Sequence, residues 1–285
     1  MDEKLLDSSE ETQVTIKSSR PNQQSINSNE LIIIEQPSEQ QNYGTSEELQ
    51  NIQWMQPPQV CQPDAPPGLE YLTQIDQLLI HQVIEIFEAV TGFQTRKRFF
   101  VKNSMGQQVL FASERNGCLT MQCCGSIRPF EINLTDNMKR DIIHLSRPMR
   151  LGCRCFPCCL QELEVQAPPG ETIGYVRQIQ TFVKREFNIL NTFRDPVLKI
   201  RGPCWLCSCL TDIDFDILTS DGETVIGKIT KQWPGLWRET FTLADNFGIR
   251  FPVDLDVKIK ATLLGAVFLM DFMYFEGNNR RRRRY

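Results

Sequence analysis

The sequence lacks the patterns that mark the common enzyme classes. It contains only two histidines, His81 and His144, and it has neither a P-loop nor a dinucleotide-binding glycine fingerprint. No nucleophile, base and acid can be read from it together as a catalytic set. We therefore expect a protein that performs no bond chemistry.

The sequence also has no apolar run that reaches the full length of a membrane span. Its most concentrated run lies in Val257–Glu276, where only Thr262 and Asp271 interrupt the stretch Ala261–Phe275. A helix of about 15 residues extends about 22 Å, whereas the hydrocarbon core of a bilayer is about 30 Å thick. The arginine run Arg280–Arg284 follows at once and favours keeping that end in the cytosol.

We expect the hydrophobic helix to cover residues 259–275 and to be buried inside protein, because it is apolar on nearly every face. A single membrane span is the alternative, since tilt and local thinning of the bilayer can rescue short segments. In either case its membrane-facing or core positions would be Ala261, Leu264, Val267, Phe268 and Phe272.

No apolar core of a signal peptide is visible in residues 1–29, so we expect the body of the protein to reside in the cytosol. In that reducing compartment the eleven cysteines are not expected to form a disulfide framework. Metal binding, acylation and plain burial are the alternatives.

Charge is unevenly distributed along the chain. Residues 1–66 hold 11 acidic and three basic side chains, so the net charge of −4 leaves +4 on residues 67–285. This basic body suits an anionic surface, which would be lipid or nucleic acid. Residues 1–65, rich in Gln, Ser and Pro, are predicted to be a disordered N-terminal segment. Residues 278–285 form a basic tail.

The central region 66–277 reads as one mainly β domain. The apolar spacing over Leu69–Val90 predicts an amphipathic helix. After it, short alternating or β-branched runs separated by turn residues predict strands. These runs are Phe99–Lys102, Val109–Ala112, Phe130–Leu134, Ile142–Leu145, Leu163–Gln166, Phe187–Leu190, Val197–Ile200, Ile213–Leu218 and Val225–Ile229. The turns at 103–106, 135–138 and 220–223 predict three hairpins. A sandwich or a closed barrel of about 12 strands fits this pattern, and a barrel has room for a central helix.

The densest local feature is a group of four cysteines, Cys153, Cys155, Cys158 and Cys159, beside Arg150 and Arg154. Acylation suits exposed thiols next to basic and aromatic residues, and several acyl chains anchor a protein stably. Zinc is the second alternative, for which two cysteine pairs would supply four ligands. Those ligands are Cys155, Cys158, Cys204 and Cys207. Inert burial is the third.

Several collinear motifs together resemble the phospholipid scramblase family. They are PPGLEYL at 66–72, IDQLLIHQ at 75–82, CRCFPCCLQELEVQAPPG at 153–170, IRGPCWLCSCLTDIDFDI at 200–217, GKITKQWPGL at 227–236 and the stretch 244–276. The resemblance implies a tubby-like barrel around a C-terminal hydrophobic helix. It also implies palmitate on Cys153, Cys155, Cys158 and Cys159, and residence on the inner leaflet of the plasma membrane. The family is also described as type II single-span proteins.

The resemblance further implies a calcium segment at Leu243–Asp254. Read as a twelve-residue loop, it places Asp245, Phe247, Ile249, Phe251 and Asp254 at ligand positions, while Leu243 replaces the expected aspartate. Two carboxylates are a poor supply for calcium, so we expect weak binding. A strand with Phe247, Ile249 and Phe251 facing inward fits the same residues.

The stretch Gly227–Leu236 resembles the family's nuclear import signal, with Lys228 and Lys231 as the residues that contact the import receptor. An exposed strand face is the alternative for these lysines. The N-terminal segment is less proline-rich than in many relatives, which argues against SH3 and WW-type partners.

Two functions follow from these observations. One is calcium-dependent, ATP-independent movement of phospholipids between the leaflets of the plasma membrane, which requires oligomerisation or local membrane disturbance if the helix fills the barrel. The other is an acylated membrane-associated interaction module that enters the nucleus when unacylated and binds nucleic acid.

Overall fold

The computed structural model describes residues 53–56, 58, 65–83, 96–115, 128–150, 159–181, 184–204, 213–232 and 246–275. Twelve antiparallel strands form a closed barrel in which each strand pairs with the next one in sequence and β12 pairs with β1. The strands are β1 Gln77–Val83, β2 Arg98–Asn103, β3 Gln108–Glu114, β4 Phe130–Thr135, β5 Asp141–Arg147, β6 Glu162–Gln166, β7 Thr172–Gln178, β8 Lys184–Leu190, β9 Pro196–Cys204, β10 Ile213–Thr219, β11 Val225–Gln232 and β12 Asn246–Arg250. Closure leaves no strand edge open to a further chain.

The predicted mainly β barrel of about 12 strands around a C-terminal helix is therefore confirmed. All nine predicted strand runs lie inside strands β2 to β6 and β8 to β11, because each run alternates between a buried and an exposed face. The structure adds β1, β7 and β12, which complete the ring.

The prediction of an amphipathic helix over Leu69–Val90 is wrong for residues 69–83, which the structure describes. Glu70–Gln74 is a short 3₁₀ helix, and Gln77–Val83 is strand β1. Main-chain pairing of β1 with both β2 and β12 closes the barrel, and this long-range pairing overrides the helical spacing of the apolar residues. Residues 84–90 lie outside the described part.

Residues 53–56, which belong to the N-terminal segment predicted to be disordered, are among the described residues. Main-chain hydrogen bonds join residues 53–56 to β3, since Met55 N donates to Gln108 O and Gln108 N donates to Gln53 O, each within 2.9 Å. Trp54 forms a β-bridge with Gln108, and Met55 packs against the core.

The two ends of the barrel differ in their connections. At one end, which we call the tight-turn rim, turns of four or five residues at 104–107, 136–140, 167–171, 191–195 and 220–224 join neighbouring strands. The three predicted hairpins are among them. At the other end, which we call the long-connection rim, the connections from β1 to β2, β3 to β4, β5 to β6, β9 to β10 and β11 to β12 are all longer.

The hydrophobic helix begins at the tight-turn rim and runs through the barrel. Helix α1 covers Val257–Met270, and a π-helical turn, Asp271–Phe275, extends it at the long-connection rim. Asp256 caps its start by accepting hydrogen bonds from Lys258 N and Ile259 N. The predicted helix 259–275 is therefore confirmed, with a start two residues earlier.

Side chains of the helix meet strands on several sides of the barrel. Phe268 contacts Phe99 of β2, Phe272 contacts Phe130 of β4, and Phe275 contacts Phe247 of β12, with ring centroids 4.2–5.6 Å apart. The five predicted core positions are all buried. They are Ala261, Leu264, Val267, Phe268 and Phe272. Among the described residues, no helix has both the length and the apolar character needed to cross a bilayer.

The tight-turn rim carries exposed acidic and apolar residues. The exposed acids are Asp76, Asp141, Glu171, Asp195, Asp221, Glu223, Asp254 and Asp256, and the exposed bases are Lys139, Arg140 and Arg194. Large apolar side chains that are more than half exposed also lie here: Met105, Met138, Phe193, Val225 and Val253. Exposed basic residues at the long-connection rim include Arg96, Arg98, Arg115 and Lys184.

Candidate functional site at the long-connection rim

Buried charges converge where the helix leaves the barrel. Asp271, which is 1% exposed, accepts a hydrogen bond of 2.7 Å from the ammonium group of Lys97. Lys97 immediately precedes β2, on the same inward-facing side as Phe99. Its ammonium group also lies 4.3 Å from the centre of the Phe272 ring. The favourable pairing and the cation–π contact offset part of the cost of removing both charges from water.

A second buried ion pair lies beside the first. Arg128, just before β4, pairs with Glu114 at the end of β3 through both carboxylate oxygens. Its guanidinium also lies 4.6 Å from the Phe272 ring. Glu114 accepts a further hydrogen bond from the main-chain N–H of Lys97. One aromatic ring of the helix is therefore held between two cations that are each paired with a carboxylate.

Three more buried cations complete this group. Arg147 of β5 donates two hydrogen bonds to Gln161 at 2.7 and 3.0 Å. Arg185 of β8 lies 4.8 Å from the Tyr274 ring, and Lys231 of β11 lies 3.8 Å from the Phe275 ring. Cations near a helix C-terminus interact favourably with the helix dipole, so the arrangement holds this end of the helix in place. We call these five residues, Lys97, Arg128, Arg147, Arg185 and Lys231, the cation ring.

Local sequence explains why charged residues lie inside the barrel. Each member of the cation ring stands next to the end of a strand, at a position whose side chain faces the interior. The alternation of β2 that buries Phe99 and Val101 also turns Lys97 inward. Sequence analysis missed four of these five residues, because lysine and arginine are usually exposed. Their positions in the alternation of inward-facing and outward-facing strand residues could have indicated that they are buried.

Of the predicted acylation cysteines, only Cys159 belongs to the described residues. It is buried, with 9% of its surface exposed, and it lies just before β6 at the long-connection rim. Nearby, Arg150 donates a hydrogen bond of 2.9 Å to Leu160 O. Cys153, Cys155 and Cys158 lie outside the described part, in the connection between β5 and β6. Palmitate on the four cysteines stays a prediction.

The alternative zinc site involves the same rim. Cys204 ends β9 and is partly exposed, whereas Cys155, Cys158 and Cys207 lie outside the described residues. Within the described part of the chain, no three His, Cys, Asp or Glu side chains are grouped so that they could hold a metal ion. Zinc binding also stays a prediction.

The predicted calcium segment falls largely on strand β12. Phe247 and Ile249 are buried and pair with β1 on one side and β11 on the other. Phe251 is also buried, and Asp254 lies in an exposed turn after the strand. Leu243 and Asp245 are not described. The residues 246–250 form a strand rather than a loop, so in this conformation they do not fit an EF-hand type of site. Weak calcium binding remains a prediction.

The two lysines of the predicted import signal differ in exposure. Lys228 lies on the outer face of β11, where it is 3.1 Å from Asp214. Lys231 belongs to the cation ring and is 1% exposed. An import receptor could contact Lys231 only if this part of the barrel opened. The import role of these lysines is still a prediction.

At the opposite end of the helix, Lys260 joins parts of the tight-turn rim by hydrogen bonds. Its fully buried ammonium group donates hydrogen bonds to Leu72 O, Ile75 O and Val253 O at 2.7–2.9 Å. Burial lowers the pKa of Lys260 to about 8, although neighbouring carboxylates raise it. This lysine holds the 3₁₀ helix and the turn before α1 together, which is a structural role.

Comparison with known proteins identifies the family of this chain. A family model described as Scramblase matches residues 55–277. The chain is 55% identical over 233 residues to phospholipid scramblase 1 of Rattus norvegicus, covering 80% of this chain and 69% of that protein. It is 50% identical over 230 residues to phospholipid scramblase 2 of Homo sapiens, covering 80% of this chain and 76% of that protein. The chain belongs to the scramblase family. No solved structure matches it significantly.

Proposed function

We propose that this protein moves phospholipids between the two leaflets of a membrane without bond chemistry. The observation that carries the proposal is the match of residues 55–277, which include the whole barrel and its helix, to the Scramblase family model. The relatives that it resembles at 50–55% identity are named phospholipid scramblases. Movement in both directions needs no energy source, because only the barrier to headgroup crossing has to fall.

The filled barrel limits how such movement can occur. Helix α1 and the cation ring occupy the interior, so the described part of the chain leaves a lipid headgroup no path through the centre of the barrel. We propose that headgroups cross along the outside of the protein, where it disturbs the adjoining bilayer. Acyl chains on Cys153, Cys155, Cys158 and Cys159 would hold the long-connection rim at the inner leaflet of the plasma membrane.

The proposed lipid movement also depends on calcium. This dependence rests on the family resemblance of Leu243–Asp254, within which Asp254 is exposed and accessible to a cation. Binding there would be weak because few carboxylates are present. Calcium would act by neutralising part of the acidic charge of the tight-turn rim, without a complete coordination shell from the protein.

Reconstitution into liposomes tests the function directly. Fluorescent phosphatidylserine is placed in both leaflets, and a membrane-impermeant reductant then quenches the outer leaflet with calcium or with a chelator. We expect quenching to proceed well beyond the outer share when calcium is present. Asp245→Ala with Asp254→Ala should abolish the calcium response, whereas Glu223→Ala, which removes another exposed acid of the tight-turn rim, should preserve it.

The filled barrel also favours a second candidate function, which involves no movement of lipids. In that case the protein is an acylated interaction module that enters the nucleus when unacylated. Quenching that stops at the outer share, with intact protein in the vesicles, would favour it. Alanine at the four clustered cysteines would then release the protein from membranes in cells and increase its nuclear fraction.

A further inference from the structure

A groove of about 640 Å³ lies on the outside of the barrel beside the long-connection rim. Its lining consists of Arg96, Arg98, Phe111, Ser113, Glu114 and Arg115. Three of these six side chains are guanidinium groups, and all three belong to exposed residues. The groove is distinct from the cation ring, which faces the interior.

Strand register explains why the three arginines meet. Arg98 pairs with Ser113, and Phe100 pairs with Phe111, on the outward face of β2 and β3. Glu114 N donates to Lys97 O at 2.9 Å, which continues the ladder one residue beyond β2. Arg96 therefore stands opposite Arg115. The outer face carries arginines at the rim and an aromatic pair below them, with ring centroids 5.5 Å apart.

This arrangement places like charges opposite each other, which destabilises a sheet unless an anion compensates them. The acid in the lining of the groove, Glu114, is buried and is already paired with Arg128. Glu131 of β4 is exposed, and it lies next to Arg115 in the sheet because Arg115 N donates a hydrogen bond to Glu131 O. Among the residues that the structure describes, no carboxylate forms an ion pair with Arg96 or Arg115.

We propose that this groove binds a phosphomonoester. Guanidinium groups bind phosphate oxygens through paired, charge-assisted hydrogen bonds, and the Ser113 hydroxyl can donate another. Phe111 supplies an apolar wall for the group that the phosphate is attached to. A phosphomonoester carries about −1.5 to −2 charges at neutral pH, so the guanidinium groups of Arg96 and Arg115 attract it more strongly than a singly charged phosphodiester.

The phosphomonoester could belong to a lipid or to a soluble molecule. The site does not depend on lipid movement, since a headgroup can bind here whether or not the protein transfers lipids. A failure of the reconstitution experiment would therefore leave this proposal standing, and a failure of phosphate binding would leave the proposed function standing.

Vesicle flotation of the purified full chain tests the proposal. One set of phosphatidylcholine vesicles contains phosphatidic acid, and the other contains phosphatidylserine at the same measured surface charge. We expect roughly tenfold tighter binding to the phosphatidic acid vesicles, as follows from charge-assisted hydrogen bonds to the extra phosphate charge. Glycerol 3-phosphate in solution is the second arm, measured by calorimetry.

Variants identify the groove as the source of binding. Arg96→Gln with Arg115→Gln should remove the preference for phosphatidic acid, while Arg96→Lys with Arg115→Lys should retain only part of it because paired hydrogen bonds are lost. Lys139→Gln with Arg140→Gln at the tight-turn rim removes the same charge and should leave the preference unchanged. Thermal melting of each variant checks that it is folded.

The possible results distinguish a lipid ligand from a soluble one, and both from the absence of a phosphomonoester site. Preference for phosphatidic acid with weak glycerol 3-phosphate binding assigns the site to a lipid headgroup, and comparable binding of the soluble compound assigns it to a free phosphate ester. The proposal would be overturned by equal binding to both vesicle types or by equal losses of affinity in the groove variants and the control variants. Binding of DNA without any binding of a phosphomonoester would also overturn it.

Discussion

Asp271 of the helix and Lys97 of the barrel wall form a buried ion pair at the point where the helix emerges. The two residues are 174 positions apart in sequence. Because the second oxygen of Asp271, Oδ1, accepts no hydrogen bond, the carboxylate depends strongly on Lys97. The pair joins the last turn of the helix to the strand that follows the first long connection.

Breaking this pair should destabilise the fold strongly. We expect Asp271→Ala to lower the free energy of unfolding by about 3–5 kcal/mol, because it leaves the Lys97 charge buried beside an aromatic ring. The double variant Lys97→Met with Asp271→Leu should recover most of the loss, since a buried pair can be replaced by apolar residues at little cost. Urea denaturation measures both. A single variant within about 1 kcal/mol of the parent would contradict the stabilising role.

Two Pro-Pro-Gly sequences give a matched test of packing. Gly68 and Gly170 both have positive φ, at 91° and 99°. A Cβ on Gly68 would lie 2.6 Å from Ile142 Cγ2, whereas one on Gly170 would meet nothing within 4 Å. We expect Gly170→Ala to cost about 1–2 kcal/mol from backbone strain, and Gly68→Ala to cost about 1–3 kcal/mol more from overpacking. Equal losses in unfolding free energy would show that the contact with Ile142 relaxes freely.

Gly265 in the middle of the helix should resist replacement. Its Cβ would stand 2.9 Å from Val165 Cγ2 of β6. Gly→Ala in an exposed helix gains about 1 kcal/mol, but here overpacking of about 1–3 kcal/mol opposes the gain. We expect Gly265→Ala to lower the melting temperature, and the loss should shrink in a Val165→Ala background. An increase in melting temperature in the parent background would refute the close approach.

Acid should destabilise the barrel through His81. Burial, reinforced by Lys102, lowers the pKa of His81 to about 4, although its hydrogen bond with Asn246 of β12 raises it in part. The unfolded chain binds this proton near pH 6.5, so stability is lost as the pH falls from about 6.5 toward 4. The slope is at most about 1.4 kcal/mol per pH unit. Melting temperatures between pH 7.5 and 5 should fall less in His81→Gln than in the parent, and parallel curves would contradict this origin.

Most of the barrel follows from short-range pattern. Runs such as Ile213–Leu218 alternate between a buried and an exposed face, which a sequence displays directly. The burial of the helix also follows, since its length and Asp271 argue against lipid. Strand β1 could not be read in this way, because its identity depends on pairing with β12, more than 160 residues away in the chain.

The candidate site was less accessible to sequence reasoning. Lys97 and Arg128 have the composition of surface residues, and only their position in the alternation of β2 and β4 shows that they turn inward. Phe247 and Ile249 match the spacing of a loop and of a strand equally well, and partners on both sides decide for the strand. Pairing with distant strands is therefore the information that local pattern does not contain.

Among the residues that the structure describes, the two rims carry opposite excess charge, with exposed acids such as Asp221 and Glu223 at one and exposed arginines such as Arg96 and Arg115 at the other. A body with charges separated along one axis experiences a torque in a field, and the field of an anionic surface extends about 8 Å at physiological salt. The charges of the described residues therefore favour an approach to such a surface with the arginine-bearing rim in front. Electrostatics would then set the orientation of the barrel before direct contact forms.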